Sequence, residues 1–514
     1  GNMFIEEWEK HPKIERALLS GLALAFVIFL CIATAYANDG TAGKPWYTGF
    51  APIGLLLAAI AIMIWRLPKV KEEKPGQLDY LKIKGYRYRR AINWIVLGTM
   101  YAFLYWGRYN INGAIIAIGG KQMLEDFNWV FGVGTFVYGA SFFVNGPFTD
   151  KYGGRWAILV GTIGACLANI AMGVVCWCSV SGHIPAENLF WYLIVLYPVN
   201  MYFQSFGAVA VVKCNAPWFH VRERGVFGAI FGILIALGFY IAFDWTAYIL
   251  DGLKLPVGWA FFTPAAALAL MFIVGWFVVR NRPSEAGQED IDVGDGLSLG
   301  DNKPDPPIVV LRMMLNNKII MTIACIEFCS GFLRQSNMQL YRPIAKAIGS
   351  ANNFVYENWG LMLCCAGILG GVFAGTISDH FFKSRRGPVA AILYAGLLLT
   401  GVAMCFLLGS PALAWLVLSM SLCVIGVHGM LSGTASMDFG GTKNTGVAVG
   451  LIDGFVYLGT GLQSVLYAIT LPEVKATGSN NPSAWWFWPV AMVPMALIGL
   501  YLAYKIRNVS VKKN

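Results

Sequence analysis

The sequence predicts an all-α polytopic membrane protein with two six-helix bundles and two additional transmembrane helices at the N-terminus. Of the 514 residues, 57% are hydrophobic and only 13% are charged. The apolar residues are collected into long runs, and roughly 18 or more residues in a helix cross the hydrocarbon of a bilayer. The second half of the chain also repeats features of the first half. A lipid bilayer is therefore the predicted environment of this chain.

Fourteen apolar segments are long enough to span a membrane, in groups of two, six and six. The first pair covers residues 17–37 and 48–66. The core segments are 92–118, 129–149, 156–180, 188–214, 226–249, 257–279, 317–345, 355–378, 387–408, 412–435, 445–471 and 484–504. We therefore divide the chain into two extra helices with a basic linker (1–91), a first bundle (92–280), an inter-bundle linker (281–316) and a second bundle with a short tail (317–514).

The charges between the apolar segments indicate orientation. Residues 66–91 carry nine Lys and Arg against three acids, whereas the connector 38–46 is short and nearly neutral. Basic connectors stay on the cytoplasmic side, so we expect both termini to be cytoplasmic in a cell (inner) membrane. The proline-containing, acidic segment 281–316 is typical of a cytosolic linker. This topology explains the net charge of +10 without a nucleic-acid partner.

No pattern of reactive side chains is typical of an enzyme. The eleven cysteines lie in or beside apolar segments, and none has metal-ligand spacing with a histidine. The sequence contains no nucleophile elbow and no phosphate-cradling P-loop. We therefore expect no enzymatic activity, no metal site and no cofactor.

Two parts of the chain repeat one pattern at nearly one spacing. The string GPFTDKYGGR follows the second core helix, and GTISDHFFKSRRG follows the eighth. Their aspartates, Asp150 and Asp379, are 229 positions apart, while Arg108 and Arg334 are 226 positions apart. Each half thus places one arginine in its first helix and one aspartate turn after its second. This repeat predicts two related halves packed around a central path.

Arg108 and Arg334 are the strongest candidates for functional residues. Each lies deep in an apolar segment, where an arginine costs about 2.5–3.5 kcal/mol on insertion scales and is by default a sign of function. The alternatives are extension of the side chain to the interface and pairing with a buried carboxylate. A guanidinium donates paired hydrogen bonds to phosphate oxygens and stays charged at physiological pH. Two of them suit a phosphomonoester with a charge near −2.

Neutral polar residues share the helix faces of the two arginines at spacings of three, four or seven residues. They are Tyr101, Tyr105 and Asn112 around Arg108, and Ser330, Asn337 and Tyr341 around Arg334. We expect one polar stripe in each half to face the path and bind substrate. Each tyrosine on its own is more typical of interface packing than of ligand binding.

Two acidic residues lie inside the core segments of the second bundle. Glu327 precedes Arg334 by seven residues, and Asp453 lies in the eleventh core helix. Intramembrane carboxylates are typical of proton carriers, but a local charge balance for the arginines is the alternative. His428 in the tenth core helix is more typical of a hydrogen-bonded helix residue than of a proton carrier.

The turn at residues 146–155 and its echo at 375–387 resemble the signature loop of the major facilitator superfamily. Narrower features are YAFLYWGRYN around Arg108, PWFHVRERG at 217–225, NRPSEAG at 281–287 and GVAVGLIDGFVYLGTG in the eleventh core helix. Together they are similar to the organophosphate:inorganic phosphate antiporter family. The resemblance covers roughly residues 85–508 and leaves the two N-terminal helices outside it.

The resemblance implies roles for individual residues. In that family, one arginine from helix 1 and one from helix 7 hold the phosphate, and Arg108 and Arg334 occupy those positions. Two further basic positions of bacterial members are Phe142 and Ile235 here, which leaves the substrate open. The signature loop implies a cytosolic charge latch formed by Asp150, Arg155, Asp379 and Arg385.

The resemblance implies a secondary active transporter that exchanges a small phosphorylated metabolite, a sugar phosphate or glycerol phosphate, for inorganic phosphate. The same family contains hexose-phosphate sensors, so a membrane sensor is a second hypothesis. Glu327 and Asp453 motivate a third, a proton-coupled symporter of organic anions. The two N-terminal helices either dock a partner protein or only stabilise the carrier.

Overall fold

The computed structural model describes residues 75–76, 78–119, 123–220, 234–294, 305–381, 386–440, 444–473 and 481–508. These residues belong to one compact unit of the chain. The two helices predicted at 17–37 and 48–66 and the latch residue Arg385 lie outside the described residues. The count of fourteen transmembrane helices therefore stays a prediction.

Within the described ranges the chain forms twelve long helices, one in each predicted core segment. They are α1 (Tyr86–Ile118), α2 (Met123–Tyr152), α3 (Gly154–Val180), α4 (Leu189–Asn215), α5 (Leu234–Gly252), α6 (Trp259–Val278), α7 (Lys318–Met338), α8 (Trp359–Phe381), α9 (Arg386–Phe406), α10 (Leu413–Gly440), α11 (Thr445–Thr470) and α12 (Phe487–Lys505). Ten of these elements are long and apolar enough to cross a membrane. The other two are α1, which carries Arg108 among several asparagines, and α8, whose apolar stretch is shorter.

Helix α7 is shorter than the sequence predicts. The predicted segment runs to residue 345, but α7 ends at Met338 and a separate short helix covers Tyr341–Ala347. Pro343 lies in the first turn of that short helix, where its missing N–H costs nothing, whereas a proline inside a continuous helix would break it. The predicted polar stripe of α7 therefore does not extend to Tyr341.

A further helix lies inside the predicted inter-bundle linker. Residues Pro307–Asn316 form this short helix, which buries Val310 and Met314 against Ile320 and Val447. Asn317 then caps α7, because its side chain accepts hydrogen bonds from the backbone amides of the first turn. The last part of the linker is thus packed against the second bundle.

Helices α2 and α11 are in backbone contact, and glycines make this contact close. A Cβ atom added at Gly146 would lie 2.6 Å from the carbonyl oxygen of Gly446, and one at Gly450 would lie 2.7 Å from that of Phe142. One at Gly139 would lie 3.1 Å from a carbonyl oxygen of α11. Glycines in both helices therefore permit a close backbone approach. Since α2 and α11 belong to different halves, this contact joins the two bundles.

Candidate functional site

Arg108 lies in the interior of α1 and is completely buried. Asn169 of α3 and Asn200 of α4 donate hydrogen bonds to the carbonyl oxygen of Gly107 at 3.2 and 3.0 Å. The hydroxyl of Tyr197 in α4 donates to the carbonyl of Arg108 itself at 2.8 Å. Polar side chains from two neighbouring helices therefore fix the backbone from which this guanidinium extends.

Arg334 in α7 is 1% exposed and is positioned by the second bundle in the same manner. Thr460 of α11 donates to the carbonyl oxygen of Gly331 at 3.1 Å. The indole N–H of Trp488 in α12 donates to the carbonyl oxygen of Ser336 at 2.8 Å. Each half of the molecule thus holds one arginine rigidly at its centre.

The hydroxyl of Tyr457 in α11 joins the two arginines. Its oxygen accepts a hydrogen bond from Nη1 of Arg108 at 3.2 Å and another from Nη2 of Arg334 at 3.1 Å. The two distances together limit the separation of these nitrogens to 6.3 Å. Because charge-assisted N–H···O bonds are about 2.7–2.9 Å long, one phosphate group fits between two donors at this spacing.

Aromatic rings surround the arginine pair. The guanidinium carbon of Arg108 lies 4.6 Å from the ring centre of Tyr105 and 4.5 Å from that of Tyr138. The guanidinium carbon of Arg334 lies 5.6 Å from the ring centre of Tyr457. Faces of aromatic rings attract cations, by about 2 kcal/mol or more where water is excluded. The rings therefore stabilise two buried positive charges without neutralising them.

The arginine pair has hydrogen-bonding capacity left over. The Nε atoms of Arg108 and Arg334 are both buried and bond to no other group among the described residues. In the same part of the chain, neither guanidinium forms an ion pair with a carboxylate. Such unsatisfied buried donors are rare in proteins. Two converging cations with spare donors are suited to an anion that bonds to both.

The other residues predicted on the two stripes are divided between the site and structural contacts. Tyr101 packs edge-on against Tyr105 at 5.1 Å between ring centres, beside Arg108. The hydroxyl of Ser330 is buried and has no hydrogen-bond partner among the described residues. The remaining three bond away from the arginines. Asn112 donates to the carbonyl of Gln339 at 2.8 Å, Asn337 donates to the Ser421 hydroxyl at 2.7 Å, and Tyr341 donates to Asn353 at 3.3 Å.

The two buried acids lie in the second bundle, and helix α10 contacts both. Oε2 of Glu327 lies 2.7 Å from Nδ1 of His428. The hydroxyl of Ser432, one turn later in α10, donates a short hydrogen bond to Oδ1 of Asp453. Asp453 lies one turn before Tyr457 in α11. The acids therefore lie near the arginine pair without bonding to it.

Asp150 joins the two halves at one end of the bundle. We call this the linker end, because α2, α4 and α6 end there and residue 281 follows. The carboxylate accepts hydrogen bonds from the amides of Gly446 and Val447 at the start of α11, both at 3.1 Å, and forms an ion pair with Lys213 of α4 at 2.7 Å. A carboxylate at a helix N-terminus is favourable because the first amides lack partners and the helix dipole is positive there.

Of the other predicted latch residues, the structure describes the side chain of Arg155. Arg155 donates to the carbonyl of Trp276 in α6 at 2.7 Å and does not pair with Asp150. This contact of Arg155 lies within the first bundle, because α3 and α6 both belong to it. Asp379 lies in α8 at the linker end, and only its backbone is described.

A second aspartate joins the halves at the opposite end, where α1 ends and α8 begins. Asp244 lies in a π-helical segment of α5, Ile241–Trp245. Its carboxylate accepts hydrogen bonds from the amides of Gly360 and Leu361 at 2.9 and 2.8 Å, at the start of α8. The geometry matches that of Asp150, since each carboxylate binds the second and third amides of a helix whose second residue is glycine.

Three contact residues were missed by the sequence reasoning: Tyr457, Tyr138 and Asp244. Tyr457 lies within the glycine-rich string of α11 that carries the family resemblance, and Tyr138 lies one turn before Phe142. Phe142 packs against both tyrosines, with ring centres at 4.8 Å from Tyr138 and 6.1 Å from Tyr457. For Tyr138 the available signal was its place one turn before a position that the family uses for substrate, and for Tyr457 it was its place in the string that carries the resemblance.

Comparison with known proteins identifies the family. The model of the Major Facilitator Superfamily matches residues 97–464, which is well over half of the chain. The chain belongs to this superfamily. It is an integral, multi-pass membrane protein, and the expected fold class is confirmed at this level.

Curated relatives match the narrower family that the motifs resemble. The chain is 27% identical to the glycerol-3-phosphate transporter of Bacillus subtilis (strain 168), over 63% of this chain and 72% of the relative. It is 24% identical to the membrane sensor protein UhpC of Escherichia coli (strain K12), over 77% and 89%. It is 23% identical to a probable hexose phosphate transport protein of Chlamydia trachomatis, over 83% and 93%. The resemblance to the organophosphate:inorganic phosphate antiporter family is therefore confirmed.

A solved structure shares the fold. It is titled as a bacterial homolog to the human lysosomal transporter Spinster, in an inward-facing and unoccupied conformation. The TM-score is 0.55 at 13% sequence identity, and the alignment covers 81% of this chain and 96% of the other. At this identity the likeness concerns the arrangement of helices alone.

Proposed function

We propose that the protein exchanges a small phosphorylated metabolite, a sugar phosphate or glycerol phosphate, for inorganic phosphate. The observation that carries this proposal is the arginine pair. Arg108 and Arg334 are buried, come from opposite halves and meet at one tyrosine hydroxyl. Each also has a donor with no partner among the described residues. The curated relatives named for glycerol phosphate and hexose phosphate support a phosphorylated substrate.

The chemistry of the pair favours a dianion. Two unit charges about 6 Å apart repel each other by roughly 3 kcal/mol at an effective dielectric constant of about 20. A phosphate that accepts hydrogen bonds from both guanidinium groups removes this repulsion and satisfies the two Nε donors. A neutral sugar or polyol would leave this repulsion in place. Binding therefore selects the phosphate group, while the rest of the molecule contacts the surrounding rings.

The same pair favours exchange over one-way flow. Because one arginine belongs to each half, the halves bring two positive charges together whenever they close around the site. A bound dianion lowers the cost of that closed arrangement, so the carrier changes sides more readily with substrate than without it. Inorganic phosphate and an organic phosphate both supply the dianion, and each is transported in the opposite direction to the other.

The two aspartate contacts are suited to gates for alternating access. Asp150 holds the linker end closed and Asp244 holds the opposite end closed, and each joins one half to the other through the first turn of a helix. Opening either end requires the corresponding carboxylate to leave its two amides. In this proposal the linker end is cytosolic, both termini are cytoplasmic and the protein lies in the cell (inner) membrane.

Transport by purified protein in liposomes tests the proposed function. Labelled inorganic phosphate should enter vesicles preloaded with phosphate and should not enter empty vesicles. Glycerol-3-phosphate or glucose-6-phosphate should compete with the label, while glycerol and glucose should not. At phosphate concentrations well below saturation, Arg334→Lys should lower uptake about 30-fold, and Arg312→Lys, at an exposed arginine, should leave it unchanged. Equal uptake into preloaded and empty vesicles would refute exchange.

A membrane sensor is the second candidate, because the chain covers 89% of a relative named as a membrane sensor protein. A sensor requires the same phosphate site but need not complete a transport cycle. Binding of a sugar phosphate to the purified protein, with no uptake in any liposome experiment, would favour this function. In that case the N-terminal segment 1–91 would be the first place to seek a partner protein.

A further inference from the structure

The two buried acids of the second bundle form a charged group that substrate binding alone does not use. Glu327 of α7 is completely buried, and Asp453 of α11 is 7% exposed. His428 and Ser432, on successive turns of α10, each bind one of them. The four side chains therefore make one polar cluster across three helices, beside the arginine pair.

Glu327 is held in an unusual way for a buried carboxylate. One oxygen binds the ring nitrogen Nδ1 of His428 at 2.7 Å. The other oxygen, Oε1, is buried and has no hydrogen-bond partner among the described residues. A fully charged carboxylate in such surroundings is costly unless a positive charge lies close by. Arg334 supplies that charge in the substrate-free protein, and a proton on the pair replaces it once a phosphate binds Arg334, because histidine changes its charge near neutral pH.

The groups that face Glu327 come from several helices. Arg334 and Cys329 share its own helix, Tyr394 approaches from α9, His428 from α10 and Asp453 from α11. Tyr394 donates its hydroxyl to the carbonyl of residue 326 at 2.7 Å and so does not bond to the carboxylate. Arg334 is the cation that acts on Glu327, and the proposed phosphate would compete with Glu327 for the positive charge of Arg334.

Phosphate binding changes the charge balance of this region. Without substrate, the two arginines and the two carboxylates carry charges that cancel. A bound dianion adds two negative charges beside the acids, in a region from which water is excluded. Taking up a proton is then favoured on the group that has a partner able to share it. Among the described residues, Asp453 bonds to a hydroxyl, whereas Glu327 is paired with an imidazole.

We propose that the Glu327–His428 pair is a proton-binding site, and that it takes up a proton when the arginine pair binds a phosphate dianion. This inference rests on the proposed function, because the dianion supplies the change in charge. The proton comes from the aqueous phase and is released with the substrate, so no bond other than N–H or O–H forms or breaks. Because each load of the exchange carries one proton, a full cycle moves no net proton, and the site sets the pH dependence of phosphate binding.

Calorimetry on purified protein tests this inference. Inorganic phosphate is titrated into the protein between about pH 6 and pH 9, in buffers that differ in their heat of ionisation. The dependence of the binding heat on the buffer gives the number of protons taken up for each phosphate bound. The phosphate's own ionisation is the same for every variant and cancels in the comparison. Wild type should take up more protons than Glu327→Gln, by up to one. As the pH rises, the affinity of wild type for phosphate should weaken, relative to that of Glu327→Gln, by up to about tenfold per pH unit.

Matched variants separate this role from a structural one. Glu327→Asp keeps a carboxylate and should retain proton uptake, and His428→Gln should reduce it. Glu357→Gln, at an exposed position of the second half, should behave like wild type. Equal proton counts for wild type and Glu327→Gln at every pH, with phosphate bound by both, would overturn this inference alone. Absence of phosphate binding by wild type would overturn the proposed function and this inference with it.

Discussion

Replacing Asp244 by asparagine should open the end of the bundle at which α8 begins. In the native protein both carboxylate oxygens accept hydrogen bonds from the first turn of α8, at 2.9 and 2.8 Å. Asparagine has the same size but offers one acceptor and one donor, and the donor faces an amide N–H. Loss of a cap costs about 1–2 kcal/mol, and loss of a negative charge at a helix N-terminus costs a further 0.3–1 kcal/mol or so.

A total of about 2 kcal/mol corresponds to about a 30-fold change in the equilibrium between closed and open forms. Hydrogen–deuterium exchange of backbone amides measures this change without a probe attached to the protein. Amides at the start of α8, including Gly360 and Leu361, should exchange about 30-fold faster in Asp244→Asn, since their exchange follows the opening of this contact. Amides at the start of α11 should become more protected, because alternating access closes one end as the other opens.

Two variants serve as controls for this experiment. Asp251→Asn removes an exposed carboxylate from the same helix and should leave exchange unchanged. Asp150→Asn should give the mirror image, with faster exchange at the start of α11 and slower exchange at the start of α8. The reasoning would be refuted if Asp244→Asn left the start of α8 fully protected. It would also be refuted if both ends exchanged faster in Asp244→Asn or in Asp150→Asn.

Two further predictions concern the centre of the molecule and the contact between α2 and α11. Tyr457→Phe removes the acceptor shared by the arginines. The unfolding temperature should therefore fall by a few degrees without phosphate and by less at saturating phosphate. An equal fall in both conditions would contradict this prediction. Gly450→Ala places a Cβ atom 2.7 Å from the carbonyl oxygen of Phe142 and should slow phosphate exchange, whereas Gly371→Ala, where no atom lies within 4 Å, should not. Uptake into preloaded liposomes measures this second pair, and equal rates would count against the packing argument.

The helices and the two arginines could be predicted because their signals are local. A transmembrane helix is specified by its own run of apolar residues, and a single arginine inside such a run is conspicuous at one position. The spacing of 226 between Arg108 and Arg334 added that they belong to related halves. What the spacing could not supply is the distance between their side chains, which depends on how two bundles pack.

The missed residues depend on contacts between distant parts of the chain. Asp244 lies inside the predicted segment 226–249, so its burial could be predicted, but its partners are amides 116 and 117 positions later and could not. Tyr457 meets Arg108 across 349 positions. The break after Met338 had a local signal in Pro343, and the predicted stripe ran past it because the hydropathy of the segment continues.

Binding of phosphate to variants of both arginines tests most directly whether the two residues hold one ligand. The dissociation constant of inorganic phosphate is measured for wild type, Arg108→Lys, Arg334→Lys and the double variant. Lysine keeps the charge but loses the paired donors, so each single variant should bind about 30-fold more weakly, a loss of about 2 kcal/mol. If both arginines hold the same phosphate, the double variant should lose much less than the sum of the two single losses. Single losses that add fully, or affinities equal to that of wild type, would contradict a shared site.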